Sequence, residues 1–450
     1  METKGSSPSS SHGLTENSPL LPLKDQDVEV ADDGYHQASF TSAVFNLSTT
    51  VVGAGIMALP ATMVVLGLPV GLLMIIFVGF LTDLSLQFLT RYSKPCKARS
   101  YGGLMADSFG TPGRTLTQLC VVVNNLGCMI VYMIIMCDVL SGTAEHTGIL
   151  MEWAGGATWW NGRVVVLFIT TVVILAPLCC LRHVDSLKHS SVVSMALAGV
   201  FLFVAMVVCV TRLVEGKIDP PRLIPDVYDE QSFWRLFTVV PVLVTAFICH
   251  HNVHPIANEL RPDVKMQDVS RASMILCSVI YISTAVFGYL LFGENTSSDI
   301  LSNFDVDLEV PYSKVLGAIV RISYALHIML VFPLLNYSLR VNLDSFLFPR
   351  APPLAEDTKR FVLLTVLIIG FAFLGSTLVP NIWVAFEFTG ATASVSLAFI
   401  FPGAIALRDY AGVASQKDKW LAGIMVVLAV VSSVSAITTN LVDMISAEHS

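Results

Sequence analysis

Charge is scarce in this 450-residue chain. Only 13% of its residues are Asp, Glu, Lys or Arg, whereas 54% are hydrophobic, and the mean hydropathy is +0.70. A water-soluble fold of this size needs more surface charge, so the composition argues against one and favours a polytopic membrane protein in a lipid bilayer. No basic patch is present either, and we therefore expect no nucleic-acid partner.

The sequence also lacks the groupings of an enzyme or a metal site. Its nine cysteines form no CxxC pair and no Cys/His cluster with metal-ligand spacing. No nucleophile with a matching general base is recognisable. We therefore expect no catalytic residue, no metal and no cofactor.

What the chain does contain is a series of apolar runs of about 20 residues, the length that crosses a bilayer as a helix. Eleven spans are predicted, near residues 40–66, 68–90, 115–141, 163–181, 190–212, 234–258, 268–292, 314–338, 360–379, 381–406 and 419–440. The sequence thus predicts an all-α polytopic membrane protein with a transmembrane domain at 39–440. A disordered cytosolic tail, 1–38, precedes it and a short lumenal tail, 441–450, follows it.

The positions of Lys and Arg indicate the orientation. With the N-terminus in the cytosol, about three quarters of these residues fall on the cytosolic side, as the positive-inside rule requires. The C-terminus then lies on the opposite, lumenal side. Asn295 begins an Asn-Thr-Ser sequon in an outer loop, where a glycan is expected.

The N-terminal tail carries a candidate sorting signal. Glu16, Leu20 and Leu21 match an acidic dileucine pattern, which resembles the sorting signals that adaptors read for vacuoles, lysosomes or endosomes. We therefore predict a vacuolar or lysosomal membrane, with a sorting adaptor as a possible partner of the tail.

The first span contains two glycines, a cluster of hydroxyls and Pro60. Glycine weakens a helix, and proline cannot donate the bond that would rejoin it. A break within the bilayer is tolerated where the freed backbone groups face protein or a cavity. We expect these groups to bind an amino acid, with backbone N–H groups receiving its carboxylate and carbonyls and hydroxyls its ammonium. The candidate substrate residues here are Thr49, Thr50, Val52, Gly53, Ala54, Gly55 and Ile56.

The sixth span carries a comparable interruption at residues 249–255, which contains Pro255 and two further candidate substrate residues, His250 and Asn252. Spans one and six each begin a group of five, and an odd number reverses the second group in the membrane. Broken helices in corresponding positions of two inverted halves indicate a transporter with a five-plus-five inverted repeat. The alternative explanation is that the glycines serve close helix packing.

Other polar groups within the spans extend this prediction. Asn125 and Tyr132 lie seven residues apart on one helix face, so they either line the substrate pathway or form bonds between helices. His250, Glu387 and His327 are candidates for proton coupling, since ionisable groups within a membrane are commonly functional. Arg321 is expected either to snorkel or to neutralise Asp138.

With these residues assembled, the chain resembles the amino acid/auxin permease family. Within that family it is similar to plant vacuolar amino acid transporters, which are related to sodium-coupled neutral amino acid transporters. The resemblance runs through the chain from about residue 39. It is carried by residues 42–48 and 53–56, by 247–250 with Pro255, Ile256, Glu259 and Leu260, by Arg321 and Pro333, and by 389–391 with Pro402.

The resemblance implies eleven helices with a LeuT-like inverted core and an amino acid bound between spans one, three, six, eight and ten. It also bears on the coupling ion. Sodium-coupled relatives have asparagine where this chain has Thr49, and a sodium-linked threonine in span eight. Here residues 324–335 contain no serine or threonine. A proton is therefore the favoured coupling ion, and sodium is doubtful.

The sequence as a whole predicts a secondary active amino acid transporter of an endomembrane compartment. It would export amino acids from lumen to cytosol by alternating access. Two alternatives stay open: an amino-acid-binding membrane sensor with little transport, and sodium-coupled amino acid uptake at the plasma membrane.

Overall fold

The computed structural model describes residues 38–143, 145–180, 188–352, 354, 356–379 and 382–448. The predicted tail 1–38, with Glu16, Leu20 and Leu21, therefore lies outside the described residues except for Ala38. Within the described part, the secondary structure is helical apart from turns and two isolated β-bridges.

The α-helices are numbered in chain order. The first half contains α1 (Phe40–Val51), α2 (Leu59–Leu66), α3 (Leu68–Cys96), α4 (Tyr101–Ser141), α5 (Ile149–Ala154), α6 (Arg163–Thr170), α7 (Ala176–Cys179) and α8 (Lys188–Val214). The second half contains α9 (Glu230–Phe247), α10 (His250–Glu259), α11 (Met266–Phe292), α12 (Ser313–Leu347), α13 (Thr358–Leu378), α14 (Ile382–Thr389), α15 (Phe401–Arg408) and α16 (Gln416–Glu448).

The first predicted span consists of two helices that meet at an angle. α1 starts at a Ser39 cap and ends before Val52, where the backbone becomes extended. A 3-10 helix, Ala54–Ala58, leads into α2, and Pro60 lies in the first turn of α2, where its missing N–H costs no helix bond. The two parts are bent by 53°. Residues 52–53 are called the α1 break below.

The sixth predicted span is interrupted in a similar way. α9 begins with a capping box between Asp229 and Ser232, then ends at Phe247. Ile248 is extended, and α10 restarts at His250. Residues 248–249 are called the α9–α10 break below.

The count of apolar helices can be compared with the eleven predicted spans. Among the described residues, nine helices are long and apolar enough to cross a membrane, and α1 with α2 makes a tenth if the bent pair is one span. The remaining predicted span, 163–181, corresponds to a shorter apolar stretch, Arg163–Cys179, which includes the π-helical turn Thr171–Leu175. The chain is therefore a multi-pass membrane protein with nine or ten candidate spans.

Polar bonds between helices tie the centre of the bundle together. Ser394 donates to the Asn124 side chain at 2.7 Å, and Thr245 donates to Ser394 at 3.1 Å. Asn124 donates to Asn125, which donates to Ser338, each at 3.2 Å. This chain of buried amides and hydroxyls joins α4, α9, α12 and the π-helical segment after α14, and it satisfies groups that would be costly to leave unpaired in a membrane.

Candidate functional site

The Tyr281 hydroxyl connects the two breaks. This α11 side chain is fully buried, and its oxygen lies 2.7 Å from the Val51 carbonyl at the end of α1 and 2.6 Å from the Ala246 carbonyl at the end of α9. The last carbonyls of a helix have no partner within that helix. One tyrosine hydroxyl therefore serves a terminal carbonyl from each of the two interrupted spans.

Two further tyrosines reach the α1 break from other helices. Tyr324 of α12 donates to the Gly53 carbonyl at 2.6 Å. The Tyr132 hydroxyl of α4 lies beside the backbone of Gly53 and Ala54. Helices α4, α11 and α12 thus each supply a hydroxyl to the backbone of residues 51–54, which holds the interruption open against helix formation.

Gly53 and Gly55 fit closely against their neighbours. A Cβ atom on Gly53 would lie 2.2 Å from the Tyr132 hydroxyl oxygen, and one on Gly55 would lie 2.6 Å from the Ala246 Cα. Close packing, the alternative explanation of these glycines, is therefore present in the structure. It is present at the break itself, where it brings Tyr132 and α9 against the backbone of residues 53–55.

The histidines at the start of α10 are held by serines of α3. His250 Nε2 lies 2.6 Å from the Ser85 hydroxyl, which donates to the Thr82 carbonyl, so the ring must be the donor in this pair. His254 and Ser93 repeat the arrangement at 2.7 Å. The network assigns each ring as the neutral Nε2–H form. Both Nδ1 atoms are buried acceptors with no hydrogen-bond partner among the described residues.

His327 of α12 also lies beside the α1 break. Its Nδ1 lies 2.7 Å from the Ser194 carbonyl, and this contact requires a proton on Nδ1. The ring is fully buried, and its Nε2 has no hydrogen-bond partner among the described residues. His327 thus offers an unused acceptor beside residues 52–53.

The remaining predicted substrate residues lie at different distances from this centre. Thr49 and Thr50 are in the last turn of α1 and donate to the carbonyls of Phe45 and Leu47, each at 2.8 Å. Asn252 is half-buried in α10, next to the α9–α10 break. All three hold positions at the breaks, but the hydroxyl protons of the threonines are already used within α1.

Asn125 and Tyr132 share a helix but not a set of contacts. Tyr132 reaches the α1 break, whereas Asn125 bonds to Asn124 and Ser338 and is fully buried. Of the two roles that the sequence left open for Asn125, the structure displays hydrogen bonding between helices.

Glu387 is buried in α14, four per cent exposed. This helix packs against α4, α9 and the 3-10 helix Ala54–Ala58. Glu387 thus lies on a helix that contacts the element following the α1 break and that the resemblance assigns to the substrate site.

The ion pairs at the outer ends of the helices differ from the predicted one. Asp138 pairs with Arg163 at the start of α6, while Arg321 donates to Glu152 of α5 at 2.6 Å and to the Thr147 carbonyl at 2.9 Å. The prediction that Arg321 neutralises Asp138 is therefore wrong. Asp138 and Arg321 instead each pair with a residue of the segment that follows α4.

The role of two tyrosines at the breaks was not predicted from the sequence. Tyr281 and Tyr324 lie near the middle of their predicted spans, far from the interfacial belts that usually hold this residue. A buried tyrosine hydroxyl normally requires a hydrogen-bond partner. The mid-span position of these two tyrosines is the sequence signal that could have predicted their contacts with the free carbonyls of an interrupted helix.

Comparisons with known proteins agree with this architecture. The family model described as "Transmembrane amino acid transporter protein" matches residues 36–446. Amino acid transporter AVT6A of Arabidopsis thaliana is 54% identical over 426 residues, covering 94% of this chain and 92% of the relative. AVT6B and AVT6D of the same plant are 50% and 44% identical, covering 90% and 94% of this chain and 90% and 96% of the relatives.

Two solved structures share the fold at low identity. MhsT in complex with L-phenylalanine aligns with a TM-score of 0.57 and 12% identity over 90% of this chain and 99% of that one. A substrate-bound, outward-open Na⁺-coupled sialic acid symporter aligns with a TM-score of 0.54 and 13% identity over 91% of each chain.

Proposed function

We propose that this chain, which belongs to the transmembrane amino acid transporter family, carries amino acids through a site formed by its two helix breaks. The resemblance to the amino acid/auxin permease family is confirmed, and relatives with about half of their residues in common are named transporters rather than enzymes. The observation that carries the proposal is the shared Tyr281 contact with the terminal carbonyls of α1 and α9.

For the architecture we propose eleven transmembrane helices with a five-plus-five inverted core. Arg163–Cys179 supplies the fourth span in this arrangement, although it is shorter than the others. The interrupted spans are then the first members of the two halves. Their contact through Tyr281 supports this pairing, because corresponding broken helices meet near the midplane in such transporters.

For substrate recognition we assign the carboxylate to the backbone of the α1 break. The Val52 N–H bonds to the Ser48 carbonyl and the Tyr132 hydroxyl lies beside Ala54, so the N–H groups of Gly53 and Gly55 are the ones we assign. The ammonium group would be received by acceptors on the facing helices, and our candidate is the His327 Nε2, which has no partner among the described residues. The other predicted substrate residues, Thr49, Thr50, Ile56, Asn125, Asn252 and His250, stay candidates.

For the coupling ion we propose a proton. His327 is the α12 side chain beside the break, and an imidazole is a proton acceptor rather than a sodium ligand. His250 offers a second buried acceptor, and Glu387 a carboxyl group on α14. Proton movement from an acidic lumen would then drive amino acids into the cytosol.

The proposed location is a vacuolar or lysosomal membrane with the N-terminus in the cytosol and the C-terminus in the lumen. Support comes from the distribution of Lys and Arg and from the dileucine pattern in the tail, which an adaptor would read. Asn295 is exposed in the structure, as a glycan acceptor must be.

The pattern of burial also suggests the conformation. Residues 54–63, on the outer side of the α1 break, are all buried. On the cytosolic side, Asn46 is exposed and Thr50 is half-buried. An exposed asparagine within a membrane helix favours contact with a water-filled vestibule over contact with lipid. We therefore propose that this is a cytosol-facing state.

The test is efflux of a labelled amino acid panel from proteoliposomes in sodium-free buffer, with and without an imposed pH gradient. We expect flux that follows the proton gradient. Flux that needs added sodium would contradict proton coupling. Saturable binding without flux under any gradient would instead indicate a sensor.

Three substitutions separate the candidate proton sites. His250→Gln, His327→Gln and Glu387→Gln each remove a titratable group and keep a polar side chain. We expect the coupling residue to lose the response to the pH gradient by at least about tenfold while exchange without a gradient persists, as for a group needed only for proton transfer. Glu309→Gln, at an exposed position, is the control. If all three variants respond to the gradient like the parent protein, the coupling site lies elsewhere.

A further inference from the structure

The loop between α11 and α12 covers the outer end of the first span. This segment, residues 296–312, is called the outer loop. Its Ile300 N–H donates to the Met57 carbonyl at 3.2 Å, and residues 299–301 are buried. A second attachment is made by Asp305, which accepts the Thr147 N–H at 2.8 Å and lies 3.0 Å from His146 Nδ1. The outer loop is thus fixed to the 3-10 helix that follows the α1 break and to the segment after α4 that contains His146 and Thr147.

Asp299 is the unusual residue in this segment. Its side chain is only 3% exposed. One carboxyl oxygen accepts the Leu301 N–H at 3.0 Å, and the other has no hydrogen-bond partner among the described residues. A buried carboxylate without a compensating partner is strongly disfavoured relative to its neutral form. The geometry therefore requires a proton on Asp299 while the loop is in place.

The groups that face Asp299 strengthen this requirement. Asp138 of α4 acts on it as a like charge and is itself paired with Arg163. From α12 the neighbouring titratable group is Tyr324, whose hydroxyl donates to Gly53. On the first span, the segment beside the outer loop, residues 54–59, contains no titratable or charged residue. The other titratable groups nearby have partners of their own: Asp305 with His146, and Tyr289 with Glu294, which Arg222 also approaches.

We propose that Asp299 binds a proton from the outer side when the outer loop closes over the α1 break, so that acid on that side favours closure. The proton would enter and leave with the movement of the loop. It would therefore control access from the outer side and is separate from the protons proposed above to drive transport.

The direction of the pH effect follows from the two states. Burial, with the Asp138 carboxylate nearby, raises the pKa of Asp299 to about 8 in the closed loop. In an open, hydrated loop an aspartate has a pKa of about 4. Closure then takes up a proton throughout this interval and weakens as the pH rises through it. The opening equilibrium is expected to increase about a hundredfold between pH 6 and pH 9.

The experiment measures loop opening directly. Hydrogen–deuterium exchange with mass spectrometry on the full chain in nanodiscs follows the amides of residues 297–305 at pH values from 6 to 9. Rates are corrected for the pH dependence of intrinsic exchange with an unstructured peptide. Because flux is not the readout, failure of the carrier proposal would leave this result unaffected.

Asp299→Asn and Asp307→Asn form a matched pair. Both aspartates accept the N–H two residues ahead, but Asp307 is exposed. Asparagine at 299 keeps that bond and stays neutral. We expect the parent protein and Asp307→Asn to lose protection with rising pH and Asp299→Asn to keep constant protection. A parent-like pH dependence in Asp299→Asn would overturn the proposal.

A second variant covers the case in which Asp299→Asn does not fold. Asp138→Asn removes the like charge and leaves Arg163 unpaired, and both changes favour the ionised form of Asp299. The midpoint of loop opening is expected to move to lower pH. A midpoint that is unchanged or higher would contradict the role of Asp299.

Discussion

Alanine at Gly53 is expected to reduce transport by at least about tenfold, because overpacking a tight contact costs about 1–3 kcal/mol and here acts on the moving part of the site. The backbone at Gly53, with φ −143°, is open to any residue. The added Cβ is the difficulty, since it would lie 2.2 Å from the Tyr132 hydroxyl oxygen. Initial rates in proteoliposomes, normalised to incorporated protein, measure the effect.

Gly199→Ala is the matched control for this substitution. Gly199 lies in α8, is exposed, and has no atom within 4 Å of the position that its Cβ would occupy. We expect transport and thermal stability like those of the parent protein. If Gly53→Ala were equally harmless, the break could not be as closely packed as the structure shows.

Double substitutions show whether the Tyr132 hydroxyl is the cause. In Tyr132→Phe, the nearest atom to a Cβ on Gly53 becomes the ring carbon at 3.3 Å. Gly53→Ala should therefore lower transport much less in that background, a non-additive result expected for residues in contact. Gly55→Ala is different because its Cβ would meet the backbone of Ala246 at 2.6 Å. No change at Tyr132 should rescue it, and equal rescue of both would exclude the steric explanation.

The signals for interruptions in the first and sixth spans could be read from the sequence because their cause is local. Gly53, Gly55 and Pro60 weaken helix formation whatever surrounds them, and three histidines beside Pro255 are costly in a continuous membrane helix. The fold class and the family were accessible for the same reason, since apolar runs and short motifs can be read without the structure. Span boundaries were less accurate: α4 begins at Tyr101, well before the predicted 115, and contains a kink at Gly110.

Contacts between distant residues could not be predicted in the same way. Arg321 is separated by 169 positions from Glu152, and the sequence offered Asp138 as an equally reasonable partner. Ser338 and Ser394, which bond to Asn125 and Asn124, lie in helices that the bundle brings beside α4. Such pairings depend on helix rotation and on loops, for which periodicity gives no information.

Tyr281→Phe is expected to impair transport because it removes the hydroxyl that both breaks share. The Val51 and Ala246 carbonyls would lose their buried donor, and an unsatisfied buried group costs about 1–3 kcal/mol. Phenylalanine fills nearly the same volume, so packing is preserved. If the penalty falls on one state of the transport cycle, it shifts the equilibrium between states by about 5- to 150-fold. The transport rate should decrease by a factor within that range.

Tyr289→Phe provides the comparison within the same helix. Tyr289 is also buried in α11, but its hydroxyl donates to the exposed Glu294 carboxylate at 2.6 Å, where water can replace it. We expect a change of no more than about twofold there, as for most exposed polar contacts. Transport and substrate-induced thermal stabilisation are measured on both variants. Equal activity in the two would show that the terminal carbonyls do not need the shared hydroxyl, whereas a loss confined to Tyr281→Phe would place the coupling between the two interrupted spans at this one oxygen atom.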